Sequence, residues 1–253
     1  MNRYLELILY RAYADLKAEA ARGYLGVLWW IIEPLLYLGM FSVYFIYVRQ
    51  QHDGRLIPFL LIGLVAWKWF ASSIPHCARS IASGVSLMQQ VYLPKYVFPC
   101  VAAATNLAKF LMVFILLLAA LPFFGAPPTA AWLTLPLLVA AQFFLILSSA
   151  GLLAAVVPFL PDLNYIINNL LMLLFFLSGV LFDLNKMPES FRPYLSLNPL
   201  AVLIADYRTV LLDGEMPGWW GLAGVLILSG LLWAAALRIM HRFDRIYPKV
   251  LVR

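Results

Sequence analysis

Three charged side chains stand inside long apolar runs. Glu33 lies in WWIIEPLLYLGMFSVYF, Lys68 in LVAWKWF and Lys109 in TNLAKFLMVFILLL. An ionised group in a hydrocarbon environment is costly, so such residues mark a partner or a function. Glu33 and Lys68 fall at matching depths from the same membrane face if their runs are spanning helices. Two arrangements follow: Glu33 pairs with Lys68, or the lysine snorkels to the headgroups beside the carboxylate. Pro34 follows the acid directly and removes a helix hydrogen bond, so it kinks that helix near the charged level. Lys109 sits deeper and no acidic partner for it is visible in the sequence. Soluble-enzyme chemistry finds little support. No G-x-x-x-x-G-K-[ST] phosphate cradle, H-E-x-x-H or G-x-S-x-G is present. His52, His76 and His241 are far apart, so no metal site and no catalytic residue is expected.

The aromatic residues are patterned too. At 100° per residue, Trp30, Glu33, Tyr37, Phe41 and Tyr44 share an arc of about 80°. Further on, Asn164, Tyr165, Asn168, Asn169, Met172, Phe175, Phe176 and Gly179 occupy one half of a wheel, and Ile166, Ile167, Leu170, Leu171, Leu173, Leu174 and Leu177 the other. The aliphatic halves suit lipid. Unpaired amides in hydrocarbon are costly, so the other halves face protein or a polar path. Aromatic stripes pack against neighbouring helices or line a route; rings and amides together also suit sugars, whose apolar faces are edged by hydroxyls.

The elements that must carry these residues are membrane spans. The chain has 253 residues, 64% apolar and 12% charged, against about 45–50% and about 25% in a soluble domain. The fold class is therefore an all-α polytopic membrane protein, one transmembrane domain over 1–253. Six segments reach the roughly 20 apolar residues a spanning helix requires: Gly26–Val48, Leu56–Ile74, Val97–Leu121, Trp132–Val157, Asn164–Phe182 and Trp219–Met240. Loops on the side of the termini carry eleven Lys and Arg and the opposite loops five, with Lys68 and Lys109 inside spans, out of 18. The positive-inside rule then puts both termini in the cytoplasm. The net charge of +6 reports this topology rather than nucleic-acid binding. The basic tail HRFDRIYPKVLVR suits anionic lipid, with a partner-binding tail as the alternative. Cys77 and Cys100 make no disulfide framework, and no cleaved signal is expected.

Residues 1–23 form no span. Leu5, Leu9, Ala12, Tyr13, Leu16 and Ala20 fall on one arc, which predicts an amphipathic helix along the cytoplasmic interface. The alternative is a helix packed on the protein's own cytoplasmic face. Gly23 and Gly26 permit a sharp bend into the first span.

Three stretches, in order and spread over nearly the whole chain, resemble the membrane subunits of type-2 ABC exporters that move polysaccharides across the bacterial inner membrane. They are ARGYLGVLWWIIEPLL, SGVSLMQQVYLPKYVFP and MPESFRPYLSLNPLAVLIADYRTVLLDGEMPGW. The resemblance implies two copies of the chain around a channel lined by spans one and five, here through Trp30, Glu33, Tyr37, Phe41, Tyr44, Asn168, Phe175 and Phe176. It implies two separate ATP-binding cassette subunits gripping the amphipathic N-terminal helix and the cytoplasmic loop 75–98, chiefly about Ser80–Pro99, with Ser86, Gln89, Gln90, Tyr92, Pro94 and Lys95 as coupling residues; read alone, that loop is a turn bracketed by Pro94 and Pro99, with Lys95 available to an acidic groove. It implies short re-entrant helices over 183–218 at the outer mouth, with Pro188, Asn198, Pro199 and Arg208 at an outer gate. This chain would bind no cofactor, ATP and Mg being held by the partner, and the cargo would be a lipid-linked O-antigen, capsule or teichoic acid polymer. A drug or small-lipid exporter of the same architecture is the alternative. A membrane glycosyl or acyl transferase would need acids gathered at one face, whereas Asp53, Asp183, Glu189, Asp206, Asp213 and Glu215 are scattered.

Overall fold

The computed structural model describes residues 3–21, 26, 28–43, 55–183, 187–188, 194–195 and 197–250, without the side chains of Arg3, Pro34, Tyr37, Leu38, Phe41 and Ser42. The described elements are all helical: α1 (Arg3–Ala21), α2 (Leu28–Val43), α3 (Leu56–Ala78), the short α4 (Ser80–Ser83) and α5 (Val85–Gln90), α6 (Val97–Ala120), α7 (Leu135–Val156), α8 (Leu163–Leu177), α9 (Pro199–Arg208), α10 (Trp219–Arg242) and the terminal turn α11 (Tyr247–Val250). Four apolar helical stretches among them are long enough to cross a membrane: Leu56–Ala78, Val97–Phe124, Ala130–Val156 and Trp219–Arg242. These correspond to the predicted second, third, fourth and sixth spans.

The other two predicted spans are shorter as helices. α2 has 16 residues, and 44–50, which would carry it on to Val48, lie outside the described residues. α8 has 15 residues, about 22 Å at 1.5 Å per residue, against about 30 Å of hydrocarbon. It stops at Leu177 rather than at Phe182 for a visible reason. Gly179 takes a left-handed φ of 69°, which glycine adopts without strain. The carbonyls released there find donors from the later segment. Asn198 Nδ2 donates to Leu177 O at 3.3 Å and to Ser178 Oγ at 2.9 Å. Arg208 donates to Gly179 O at 2.6 Å, Val180 O at 2.7 Å and Phe182 O at 3.3 Å. Its Nε reaches Phe59 O on α3 at 3.2 Å, and its guanidinium lies 3.4 Å from the Phe59 ring centroid. Asn198 also caps α9 by accepting from Leu200 N at 3.0 Å, with Pro199 at the first helical position, the arrangement a helix start favours. α9 runs into a π-helical turn, Thr209–Asp213, and Asp206 accepts from Gly218 N at 2.9 Å, tying the start of α10 back to α9.

α3 is the centre, packed by α2, α6, α7, α8 and α9. A run of rings crosses the core: Trp69 stacks on Phe110 at 3.9 Å, Phe110 on Phe114 at 5.0 Å, and Phe114 meets Tyr207 of α9 edge-on at 5.9 Å. Buried Gln142 of α7 donates to Ala66 O of α3 at 2.8 Å. Against α10, α7 presents Gly151, where a Cβ would lie 2.8 Å from the Trp233 ring, and Ala150, Ala154 and Ala155, all fully buried. Small residues permit this close approach of two apolar helices.

α1 is not free at its inner edge. Tyr4 meets Tyr96 edge-on at 6.5 Å, and Ile8 and Ala12 pack on Val97, Val101 and Ala104. The helix therefore runs alongside and parallel to the first half of α6. Leu5, Leu9 and Tyr13, on the neighbouring arc, stay exposed. Packing on the protein and an open apolar stripe thus coexist on adjacent edges. Gly26, just before α2, has a positive φ of 44°; Gly23 lies outside the described residues.

Candidate functional site

Two ion pairs meet at the junction of α1, α2, α3 and α6. Lys68 Nζ donates to Glu33 Oε1. Of the two arrangements open in the sequence, the pair forms, with both side chains about one-third exposed. One correction follows: Lys109 has an acidic partner, Glu19. The sequence hid it because Glu19 belongs to a helix read as lying along the interface. The parallel packing of α1 on α6 carries Glu19 up to the level of Lys109. The Lys109 ammonium also lies 5.4 Å from the Trp30 ring centroid, a cation–π contact. Next to it, Asn106 Nδ2 donates to Ala102 O at 2.9 Å and sits 2.8 Å from His76 Nδ1. Glu19, Glu33, Lys68, Lys109 and Asn106 line a cavity of about 200 Å³ whose walls include Trp29, Trp30, Trp69, Ser72 and Phe110.

The α8 face divides differently from the wheel. Ile167 and Leu171, assigned to lipid, are buried against the body, while Leu170, Leu173 and Leu177 are exposed. Phe175 packs edge-on against Trp67 of α3 at 5.5 Å. Asn168 is exposed and so is Phe176. Among the expected path residues, Trp30 and Glu33 thus line the junction cavity, Phe175 supports the core and Asn168 and Phe176 are open. Tyr44 and the side chains of Tyr37 and Phe41 lie outside the described residues. α2 and α8 both pack on α3, α2 through Glu33 at Lys68 and α8 through Phe175 at Trp67.

The cytoplasmic-loop candidates separate by exposure. Ser86, Gln89, Gln90 and Tyr92 are open, Pro94 is half-buried. Lys95 is 4% exposed, not at hand for an acidic groove as the sequence implied. It donates to Leu93 O at 3.2 Å and pairs with Asp244 at 3.5 Å. Asp244 also accepts from the Tyr92 hydroxyl at 2.9 Å, and that hydrogen bond raises the Tyr92 pKa above its ordinary value. Phe159 lies against Phe243 and Tyr247, and Tyr247 OH donates to Ala155 O at 2.8 Å; burial pushes its phenol up to about 12. The loop is thus held by the tail, which sequence reading had assigned to lipid. On the other side, a Cβ at Gly84 would lie 2.2 Å from the Phe98 ring, so the loop is pressed onto α6 as well.

Asp244→Ala is expected to loosen this loop, because it strands a buried ammonium. Limited trypsin digestion of membranes should cut after Lys95 about tenfold faster, equivalent to about 1.4 kcal/mol in local opening. An unchanged cleavage rate would remove Asp244 from that role.

Of the residues expected at an outer gate, Asn198, before Pro199 at the start of α9, and Arg208 at the other end of α9 both reach the segment that ends α8, while Pro188 is exposed. Among the described residues no three His, Cys, Asp or Glu side chains gather as a metal site. The described residues bring together paired charges, rings and amides on apolar helices.

The comparisons with known proteins agree in class. The family described as ABC-2 type transporter matches residues 13–212. The chain is 31% identical over 239 residues to an O-antigen export system permease protein RfbA of Myxococcus xanthus, covering 93% of this chain and 92% of that one. It is 25% identical to a Klebsiella pneumoniae protein of the same name, with 94% and 92% covered. It is 26% identical to a polysialic acid transport protein KpsM of Escherichia coli, with 81% and 79% covered.

Proposed function

The chain belongs to the ABC-2 type transporter family, and from that premise we propose that it is the membrane subunit of an ATP-driven exporter of lipid-linked polysaccharide at the bacterial inner membrane. The observation that carries this is the similarity over more than nine-tenths of the chain to O-antigen export permeases, with the shorter match to a polysialic acid transporter alongside. ATP and Mg are bound by a separate cassette subunit, and two copies of each subunit form the exporter. α2 and α8 complete six spans with α3, α6, α7 and α10, and both termini are cytoplasmic. α1 packs alongside the first half of α6, which carries Glu19 to the level of Lys109 instead of leaving the helix flat at the interface, and its open Leu5, Leu9 and Tyr13 stripe faces lipid.

In this reading the coupling surface is the exposed strip Ser86, Gln89, Gln90 and Tyr92, carried on a loop that is anchored on both sides. ATP binding and hydrolysis on the partner bias two arrangements of the permease pair, and the loop transmits the bias. The path runs between copies. α2 and α8 both pack on α3 within one protomer, and a face from each closes a channel with a second protomer. The open Asn168 and Phe176 side of α8 fits such a wall, and the described stretch 197–218 forms its outer rim.

Deleting the gene should leave lipid-linked glycan inside the cell and a bare surface, seen by staining intact and permeabilised cells with a glycan-specific reagent. A normal surface coat would overturn polysaccharide export. Tyr37→Ala with Phe176→Ala should cut surface polymer several-fold while the membrane level of the protein holds, since Phe176 is 55% exposed. Unchanged polymer would sink the path assignment.

A further inference from the structure

The junction cavity has a chemistry that the charge pairs alone do not account for. Its polar wall is Glu19, Glu33, Lys68, Lys109, Asn106 and Ser72. Its apolar wall includes Trp29, Trp30, Trp69 and Phe110. Trp69 is 3% exposed, and its indole N–H finds no acceptor among the described residues. That N–H is enclosed by the wall itself, so the surface offered to a ligand is the set of polar and ring side chains named above. The two carboxylates oppose the two ammonium groups, which leaves no net charge to draw in an anion. A neutral ligand that both donates and accepts meets every polar group, while its apolar faces meet the rings. Polyhydroxyl rings have that character. The volume, about 200 Å³, lies below the about 300 Å³ at which drug-sized ligands begin to fit, and is on the scale of one sugar ring. Trp29, at 50% exposed, and Glu19, with 43% of its side chain exposed, leave the cavity open to the outside.

We propose that this cavity is a monosaccharide subsite, distinct from the path along α8, which holds one neutral sugar unit of the cargo between α1, α2, α3 and α6. It rests on the polysaccharide reading. Trp29 and Trp30 supply ring contacts, and Asn106, Ser72 and the paired charges supply donors and acceptors. Both ion pairs reach into the same space. A sugar seated there touches α1 through Glu19 and α2 through Glu33, so occupancy is felt by two elements that pack on the body from different sides.

The test uses photocrosslinking in cells that make the polymer, with the whole exporter present. A benzophenone amino acid is placed at Ser72, an exposed cavity residue, and separately at Phe176 on the path. Glycan-positive adducts are expected at both, and both should vanish when polymer synthesis is blocked. Trp29→Ala should reduce the Ser72 adduct by roughly three- to tenfold, the loss of one aromatic contact, with the Phe176 adduct retained. Glycan at Phe176 but not at Ser72 overturns the subsite and leaves polysaccharide export standing. A Ser72 adduct carrying lipid without sugar, or an undiminished adduct in Trp29→Ala, also overturns it. Glycan at neither position overturns the subsite together with the reading beneath it.

Discussion

Arg208→Met is expected to be the most damaging single change in the described part of the chain. The methionine retains much of the stem, but it loses the guanidinium that lies over Phe59 and beside Gly63 and removes every donor from a buried pocket of carbonyls. Phe59, Gly179, Val180 and Phe182 each lose a hydrogen bond to a charged group. Such bonds are individually worth about 1.5–3 kcal/mol, and the stranded carbonyls keep their desolvation cost. Even with water relieving part of the loss, a net cost of at least about 3 kcal/mol follows. A melting temperature in detergent should fall by about 6–12 °C at about 2–4 °C per kcal/mol, and the membrane level of the protein should drop several-fold. Arg208→Lys should fall between the two. An ammonium keeps the charge but has three donors on one point and cannot span the fork. The consequence is local first: Gly179 and the end of α8 lose their anchor, so exposure of a cysteine placed at Leu181 should rise before the whole protein unfolds. A melting temperature within about 2 °C of the parent would show that the carbonyls are satisfied in another way.

That clamp illustrates what the sequence could and could not disclose. The long apolar helices α3, α6, α7 and α10 were legible because each carries its signal locally, in a run of residues. The Glu33–Lys68 pair was legible from depth, since spans joined by a short loop run antiparallel and bring equal depths together. Asn198 and Pro199 entered only through the resemblance, as part of an outer gate. The end of α8 was not legible. Hydropathy continues through Val180, Leu181 and Phe182, and the helix stops because donors arrive from about 20 to 30 residues later. Glu19–Lys109 escaped because it depends on the direction in which α1 lies on α6. Tyr96, Val97 and Val101 face Tyr4, Ile8 and Ala12, and no periodicity in either helix states that match. Asp244 escaped for the same reason. A tail that reads as basic contains one acid, and its meaning appears only when Tyr92 and Lys95 are found beside it. The wheel of α8 separated amides from aliphatics correctly as chemistry, yet α3 buries Ile167 and Leu171, because an apolar helix face serves a protein neighbour as well as it serves lipid.

The second large effect is expected from breaking Glu33–Lys68, and its size depends on which partner remains. Glu33→Gln leaves an ammonium about one-third exposed among Trp29, Trp30 and Trp69. Lys68→Met leaves a carboxylate in the same surroundings, one residue before Pro34. An uncompensated charge at this level of an apolar bundle costs more than the pair gains, because each ion has already lost part of its hydration. Each single variant should therefore lose polymer export almost completely and lower the melting temperature. The double variant Glu33→Gln with Lys68→Met carries no stranded charge and should recover a substantial part of both, with a coupling of about 1–3 kcal/mol in a double-mutant cycle. The neighbouring pair provides a control on the logic. Lys109→Met strands Glu19, whose side chain is 43% exposed, so its cost should be smaller, and it should not be relieved by Glu33→Gln. The recovery matters more than the losses: a proline, a turn of helix or a channel wall disturbed by either substitution would also abolish export, but only a direct pair makes the second substitution repair the first. Single variants that abolish export with no recovery in the double would show that Glu33 and Lys68 act separately, and the contact would then serve α2 packing alone.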